Sequence, residues 1–190
     1  PEQFTNLTTL RTFVVESETT FSGVIPDAIS KLSELTSISF LTTGINISGT
    51  LPASVAEMSS LTELVLGNTI SGSIPAGFFD KLVALETVAI AGGQWRGPYP
   101  TKFASPALRS LSLLNLGNMT KTGTTLSIDV PTKGALVKVG IYANNFTSIS
   151  ADFINQLNVS FMDARGGQSC TLDLPDLSLD GVIFPCKYIA

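Results

Sequence analysis

The chain has 190 residues, 44% of them hydrophobic and 14% charged, with a net charge of -4 and a sequence pI near 4.7. Such a composition leaves no electrostatic footprint for a nucleic-acid partner, and no apolar run approaches the roughly 18 residues needed to cross a bilayer. There is no histidine, which removes His-dependent triads, imidazole metal sites and the usual general base near neutral pH.

Along the chain four short strings echo one another: Gly23-Val24-Ile25-Pro26, Gly49-Thr50-Leu51-Pro52, Gly72-Ser73-Ile74-Pro75 and Gly97-Pro98-Tyr99-Pro100, with prolines 26, 23 and 25 residues apart. An apolar residue follows each proline at the third position, in Ile29, Val55, Phe78 and Phe103, and another precedes it by five, in Phe21, Ile47, Ile70 and Trp95. Leu126 keeps the second offset before Pro131, and Ser150 keeps the first before Phe153, so the series has six members with an average period near 25. A recurring period in the twenties marks a solenoid, whose coils bury apolar side chains only by stacking on their neighbours.

Upstream of each proline a second pattern recurs, reading Leu10-Phe13-Val15, Leu35-Ile38-Phe40, Leu61-Leu64-Leu66, Leu85-Val88-Ile90, Leu108-Leu111-Leu113 and Leu136-Val139-Ile141. Its last positions alternate, which is a strand signal. The spacing predicts six parallel strands centred near Phe13, Ile38, Leu64, Val88, Leu111 and Val139, lining one concave face with every second side chain turned to solvent. Thr62 falls on the solvent side, and its replacement is expected to be near neutral. Most outward positions are small; the densest group of large ones is Arg109, Leu114, Lys138 and Tyr142, which makes them the candidate binding patch.

The string Leu61-x-x-Leu64-x-Leu66-x-Asn68-x-Ile70-Ser71-Gly72-x-Ile74-Pro75 resembles the plant-type leucine-rich repeat found in polygalacturonase-inhibiting proteins, receptor-kinase ectodomains and some protist surface antigens. The match runs over residues 7–157. The resemblance implies an α/β solenoid: a right-handed superhelix with a parallel sheet on its concave face, about six repeats in residues 1–157, and a C-terminal cap in 158–190, all as a single domain. The family's buried asparagine has counterparts at Asn144 and Asn68, whereas Thr19 and Gly93 occupy that place elsewhere, so an incomplete ladder is expected. The chain opens in repeat sequence, with no signal-peptide pattern before it, and reads as a mature protein or an excised segment.

The only cysteines, Cys170 and Cys186, lie beyond the last recognisable repeat. Paired, they would close a loop of about 16 residues, contribute on the order of 3 kcal/mol and staple the cap; two buried thiols are the alternative. Five of the nine asparagines open glycosylation sequons, Asn6, Asn46, Asn118, Asn145 and Asn158, and in a secreted chain these are candidate glycan sites. With Asn144 pointing inward, Asn145 is expected to point out.

Catalytic chemistry is hard to assemble from what remains. Asp27, Glu57, Asp80 and Asp152 fall at scattered offsets in the inter-strand segments, so no carboxylate pair for glycoside hydrolysis can be argued. The run Gly92-Gly93-Gln94-Trp95-Arg96-Gly97 lacks the Lys-Ser/Thr ending of a phosphate loop. Trp95 and Tyr99 align with apolar positions of other coils and are expected to be core, with Arg96 between them facing out. No catalytic residue, cofactor or metal site is expected. The expected function is non-catalytic recognition of a protein or glycan by an extracellular, secreted or cell-surface protein. The alternative is a structural module of an extracellular layer or filament that self-associates through its uncapped N-terminal edge. Ice binding would need threonine at constant offsets, and Thr19-Thr20, Thr42-Thr43 and Thr69 lie at different distances from their prolines.

Overall fold

A computed structural model describes residues 6–15, 22–40, 46–47, 50–67, 70, 72–92, 95–116, 118–123, 125–142, 144, 146, 148–157, 161–163 and 182–183. For 22–23, 46–47, 142, 161–163 and 182–183 the description is of the backbone. Thr12–Val15, Ser37–Phe40, Glu63–Leu66, Thr87–Ala91, Ser110–Leu114 and Lys138–Tyr142 form parallel strands stacked in chain order, and Phe161–Asp163 and Val182–Ile183 complete an eight-stranded sheet. The register aligns Phe13, Ile38, Leu64, Val88, Leu111 and Val139 across neighbouring strands, the six centres expected from the repeat. The last two strands fall in the segment expected to be a cap, where they continue the sheet with the same parallel pairing.

The alternation in sequence becomes an inside and an outside. Ile38, Leu64, Val88, Leu111 and Val139 are all at most 1% exposed and belong to one continuous core that runs through successive coils. On the return path Pro26 and Pro52 precede 3-10 helices at Asp27–Lys31 and Ala53–Glu57, and a third covers Phe78–Asp80. The Pro-x-x-apolar spacing follows from this geometry. A 3-10 turn bonds residues three apart, and Ile29, Val55 and Phe78 donate backbone N–H groups to the carbonyls of Pro26, Pro52 and Pro75 while burying their side chains. Ser150 replaces the proline before the helix Ala151–Ile154; its hydroxyl caps the Phe153 N–H at 3.2 Å, and Phe153 is fully buried. The fifth coil breaks the pattern. Three residues past Pro131 stands Gly134, at φ 75°, with its N–H bonded to Gln156 carbonyl in the next coil.

Between sheet and helices, short parallel strands pair on the flank: Ser22–Gly23 with Asn46–Ile47, Gly72–Ser73 with Trp95–Arg96, and Thr125–Leu126 with Ser148–Ile149. Their register differs from the Gly-Pro alignment, since Gly72 lies opposite Trp95 and not Gly97. The glycine at 72 is needed for two reasons. Its φ is +116°, and a Cβ there would sit 2.7 Å from Thr50 Cγ2 and 3.0 Å from Thr50 Cα, so the coils stack at a distance that excludes a side chain.

Polar links tie coil to coil. Asn144, 3% exposed, accepts the Leu116 N–H at 2.7 Å through Oδ1 and donates Nδ2 to the Leu113 carbonyl at 2.6 Å, as a ladder asparagine must; Asn68, Thr19 and Gly93 lie outside the described residues. Ser105 does similar work without a sequence signal, donating to the carbonyls of Leu85 and Val83 at 2.6 and 3.0 Å. Thr62 is not the inert surface residue expected. Its hydroxyl donates to the Thr36 carbonyl at 3.0 Å, and Thr36 in turn donates to Arg11 carbonyl at 3.0 Å. Cys170 and Cys186 lie outside the described residues.

Candidate ligand-binding face

The outward face of the parallel sheet is the candidate surface. Its floor is made by Ser37, Ser39 and Val65, each about 7–8% exposed, followed by the half-buried Ala89, Ser112 and Gly140. These are outward-facing positions of successive strands: the register puts Ser39, Val65, Ala89, Ser112 and Gly140 in one row, with Ser37 two residues earlier on its own strand. Ser37 donates a 2.7 Å hydrogen bond to the carboxylate of Glu63, its register partner on the next strand. Gly140 shows how closely neighbouring floor residues approach, since a Cβ there would lie 3.0 Å from Ser112 Oγ and 3.6 Å from Leu114 Cδ2.

The four residues expected to form one patch separate into two pairs. Leu114, half-buried, and Tyr142 are register partners at one end of adjacent strands; the Tyr142 side chain lies outside the described set. Lys138 pairs with Ser110 at the other end, where the exposed Arg109 enters the same strand and its carbonyl accepts the N–H groups of Val137 and Lys138. Four residues of strand place the pairs roughly 13 Å apart, with Ser112 and Gly140 between them. A cationic end and an apolar end therefore bracket a small-residue floor.

The other expected residues are placed as follows. Asn6 and Asn118 are exposed and off the sheet, Asn46 lies in a flank strand, and Asn145 and Asn158 are outside the described residues. Trp95 and Tyr99 are buried at 1% and 5% exposure, and Arg96 is exposed. That burial leaves Trp95 Nε1 and Tyr99 Oη without a hydrogen-bond partner among the described residues. Asp27, Asp80 and Asp152 are exposed on separate turns, and Glu57 is exposed in an ion pair with Lys81 at 2.6 Å. Among the described residues no His, Cys, Asp or Glu cluster could hold a metal, and no helix is long and apolar enough to cross a membrane. One grouping escaped the repeat pattern: Tyr99, Lys121 and Phe146, from three successive coils, meet at a cleft on the flank.

No protein-family model matches the sequence, and no curated protein matches it. Solved structures do. A plant peptide hormone receptor, RGFR1 in complex with RGF2, superposes with a TM-score of 0.58 at 18% identity, covering 90% of this chain and 30% of its own. The fold is that of a leucine-rich-repeat solenoid with a parallel sheet. A TDR receptor gives a TM-score of 0.53 at 19% identity over 92% of this chain and 29% of its own. A plant ice-binding protein gives 0.50 at 14% identity over all of this chain and 79% of its own. The chain thus spans under a third of the length of either receptor.

Proposed function

We propose that the chain is part of an extracellular or cell-surface leucine-rich-repeat protein that recognises a protein ligand, without catalysis, by laying an extended segment of it across the concave sheet. The observation that carries this reading is the run of small outward-facing residues Ser37, Ser39, Val65, Ala89, Ser112 and Gly140 along successive strands. Small side chains let a partner's backbone come close, and serine hydroxyls offer it donors and acceptors, while Arg109 with Lys138 and Leu114 with Tyr142 supply the larger contacts that dominate binding energy. The fold shared with a peptide hormone receptor supports it. A glycan is the rival ligand for the same face.

The test uses peptides selected from a random display library on the intact chain. Ser112→Arg, which raises a bulky side chain between the two pairs, is expected to weaken the selected pool at least tenfold, and Asp152→Arg on the far side to leave it unchanged. A pool that binds Ser112→Arg as tightly as the native chain would overturn the reading. Replacing Arg109 and Tyr142 together by alanine is expected to cost more than about 2 kcal/mol of binding, as for hot-spot residues.

A second reading, self-association through the N-terminal edge, is favoured by Val14 in the first strand of the sheet and Leu7 before it, at 44% and 49% exposure. A sedimentation mass equal to one chain at high micromolar concentration would remove it.

A further inference from the structure

The charges of the outward sheet face are sorted by sign. Glu63 opens the strand Glu63–Leu66, Glu86 immediately precedes Thr87–Ala91, Arg109 precedes Ser110–Leu114, and Lys138 opens Lys138–Tyr142. Along the sheet two acids are therefore followed by two bases, all at the entrances of their strands. Toward the exits of the same strands the outward positions include Ala91 and Leu114, uncharged register partners.

Backbone bonds fix this order. Glu86 N–H donates to the Thr62 carbonyl at 2.8 Å and Arg109 N–H to the Glu86 carbonyl at 2.9 Å, while the Arg109 carbonyl accepts from Val137 and Lys138 at 2.8 and 3.0 Å. Glu63, Thr87, Ser110 and Lys138 are register partners across four strands, and at about 4.8 Å per strand the outer acid and base stand about 14 Å apart. Nor are these charges spent on one another. Glu86, Arg109 and Lys138 are exposed, and the ion pairs among the described residues are Arg11 with Glu34 and Lys81 with Glu57. The half-buried Glu63 is oriented by the Ser37 hydroxyl, which bonds its Oε2. A pairing of Glu86 with Arg109 across neighbouring strands would be an exposed contact of small worth, which a ligand's own charges can replace.

We infer, on the reading of this face as a peptide site, that its partner carries a basic and an acidic side chain four residues apart, the base over Glu63 and Glu86 and the acid over Arg109 and Lys138. An extended segment advances about 3.3 Å per residue and returns every second side chain to the same edge. Positions i and i+4, about 13 Å apart, thus both face the strand entrances and match the span of the charges. The side chain at i+2 lies over the half-buried Thr87 and Ser110; those at i+1 and i+3 turn toward Ala91 and Leu114. A segment with charges of one sign is repelled by half of the face, and a neutral one answers neither half.

The experiment sequences the peptides that a random display library yields on the intact chain. Opposite charges four positions apart are expected to be enriched at least fivefold over like charges at that spacing, and the pool is expected to weaken at least fivefold in about 1 M salt, where screening acts within about 3 Å. Glu86→Lys and Lys138→Glu, both at exposed positions, are each expected to weaken the native pool at least fivefold without lowering the melting temperature by more than a few degrees. On reselection the first is expected to shift the pool toward acidic peptides and the second toward basic ones. A pool that Ser112→Arg weakens but that has no paired charges, or whose preference neither reversal moves, overturns the inference and leaves the peptide reading of the face standing. A pool indifferent to Ser112→Arg, or no pool at all, overturns both.

Discussion

Asn144→Ala tests how the coils are joined. The side chain is 3% exposed and makes two hydrogen bonds to the preceding coil, from the Leu116 N–H at 2.7 Å and to the Leu113 carbonyl at 2.6 Å. Truncation leaves both backbone groups in a dry interface, and an orphaned buried donor or acceptor costs about 1–3 kcal/mol. The carbonyl keeps a second lone pair for other partners, so the N–H dominates, and the expected loss is about 2–4 kcal/mol. Urea denaturation gives the total, and hydrogen exchange resolved by peptide locates it, with protection expected to fall around residues 110–142, because a solenoid coil depends on its immediate neighbours. Asn144→Asp sharpens the test. Ionised, the carboxylate still accepts from Leu116 but faces the Leu113 carbonyl; protonated, it donates there as the amide does. Its folded pKa is thus raised above the ordinary value of about 3.9, and stability relative to the native chain is regained as pH falls toward that value and lost as pH rises through the folded pKa. A loss below about 1 kcal/mol for Asn144→Ala, or an aspartate variant that worsens in acid, would refute the reasoning.

Leu64→Ala, at a fully buried position in the middle of the sheet, is expected to lose about 2–5 kcal/mol in denaturant titration. Thr62→Ala forfeits its bond to the Thr36 carbonyl and is expected to lose about 1 kcal/mol; equal losses for the two would mean that the inward register is wrong. Gly72→Ala must place a Cβ 2.7 Å from Thr50 Cγ2 at a φ of +116°, a strain and clash worth about 2 kcal/mol or more; Gly123→Ala, with no atom within 4 Å of its Cβ, is the control expected to melt like the native chain. Alkali provides a further check. The Tyr99 phenol is raised by burial, so above about pH 10 the unfolded chain releases a proton that the folded chain keeps, and stability falls by up to about 1.4 kcal/mol per pH unit. Tyr99→Phe should therefore unfold at higher pH than the native chain when absorbance near 295 nm and ellipticity are followed together, and an unchanged midpoint would contradict it.

Period and alternation were enough to locate the strands because a solenoid coil has one way to bury its leucines, by stacking them on the same positions of the next coil. Leu61, Leu64 and Leu66 state their own direction: spacing decides which side is apolar, and the parallel register follows. The Pro-x-x-apolar element was legible for the same reason, since a 3-10 turn has a three-residue period, as was the inward turn of Asn144. The concave patch was legible only in part. Sequence placed Arg109, Lys138, Leu114 and Tyr142 on neighbouring strands, but their division into two pairs depends on how far along each strand they sit.

What tertiary structure alone decided lies where the repeat is irregular. The flank register slips, with Gly72 against Trp95, because the loops between strand and proline vary in length while the backbone must still pair. The bonds of Thr62 and Ser105 to neighbouring coils look in sequence like any surface hydroxyl, since a carbonyl acceptor 20 or more residues away leaves no local mark. The same holds for the flank cleft. Tyr99, Lys121 and Phe146 are 22 and 25 residues apart, follow no shared motif position, and meet only because three coils are stacked. Repetition determined the scaffold, which each coil specifies for itself; the departures from repetition acquired meaning only when neighbouring coils were brought into contact.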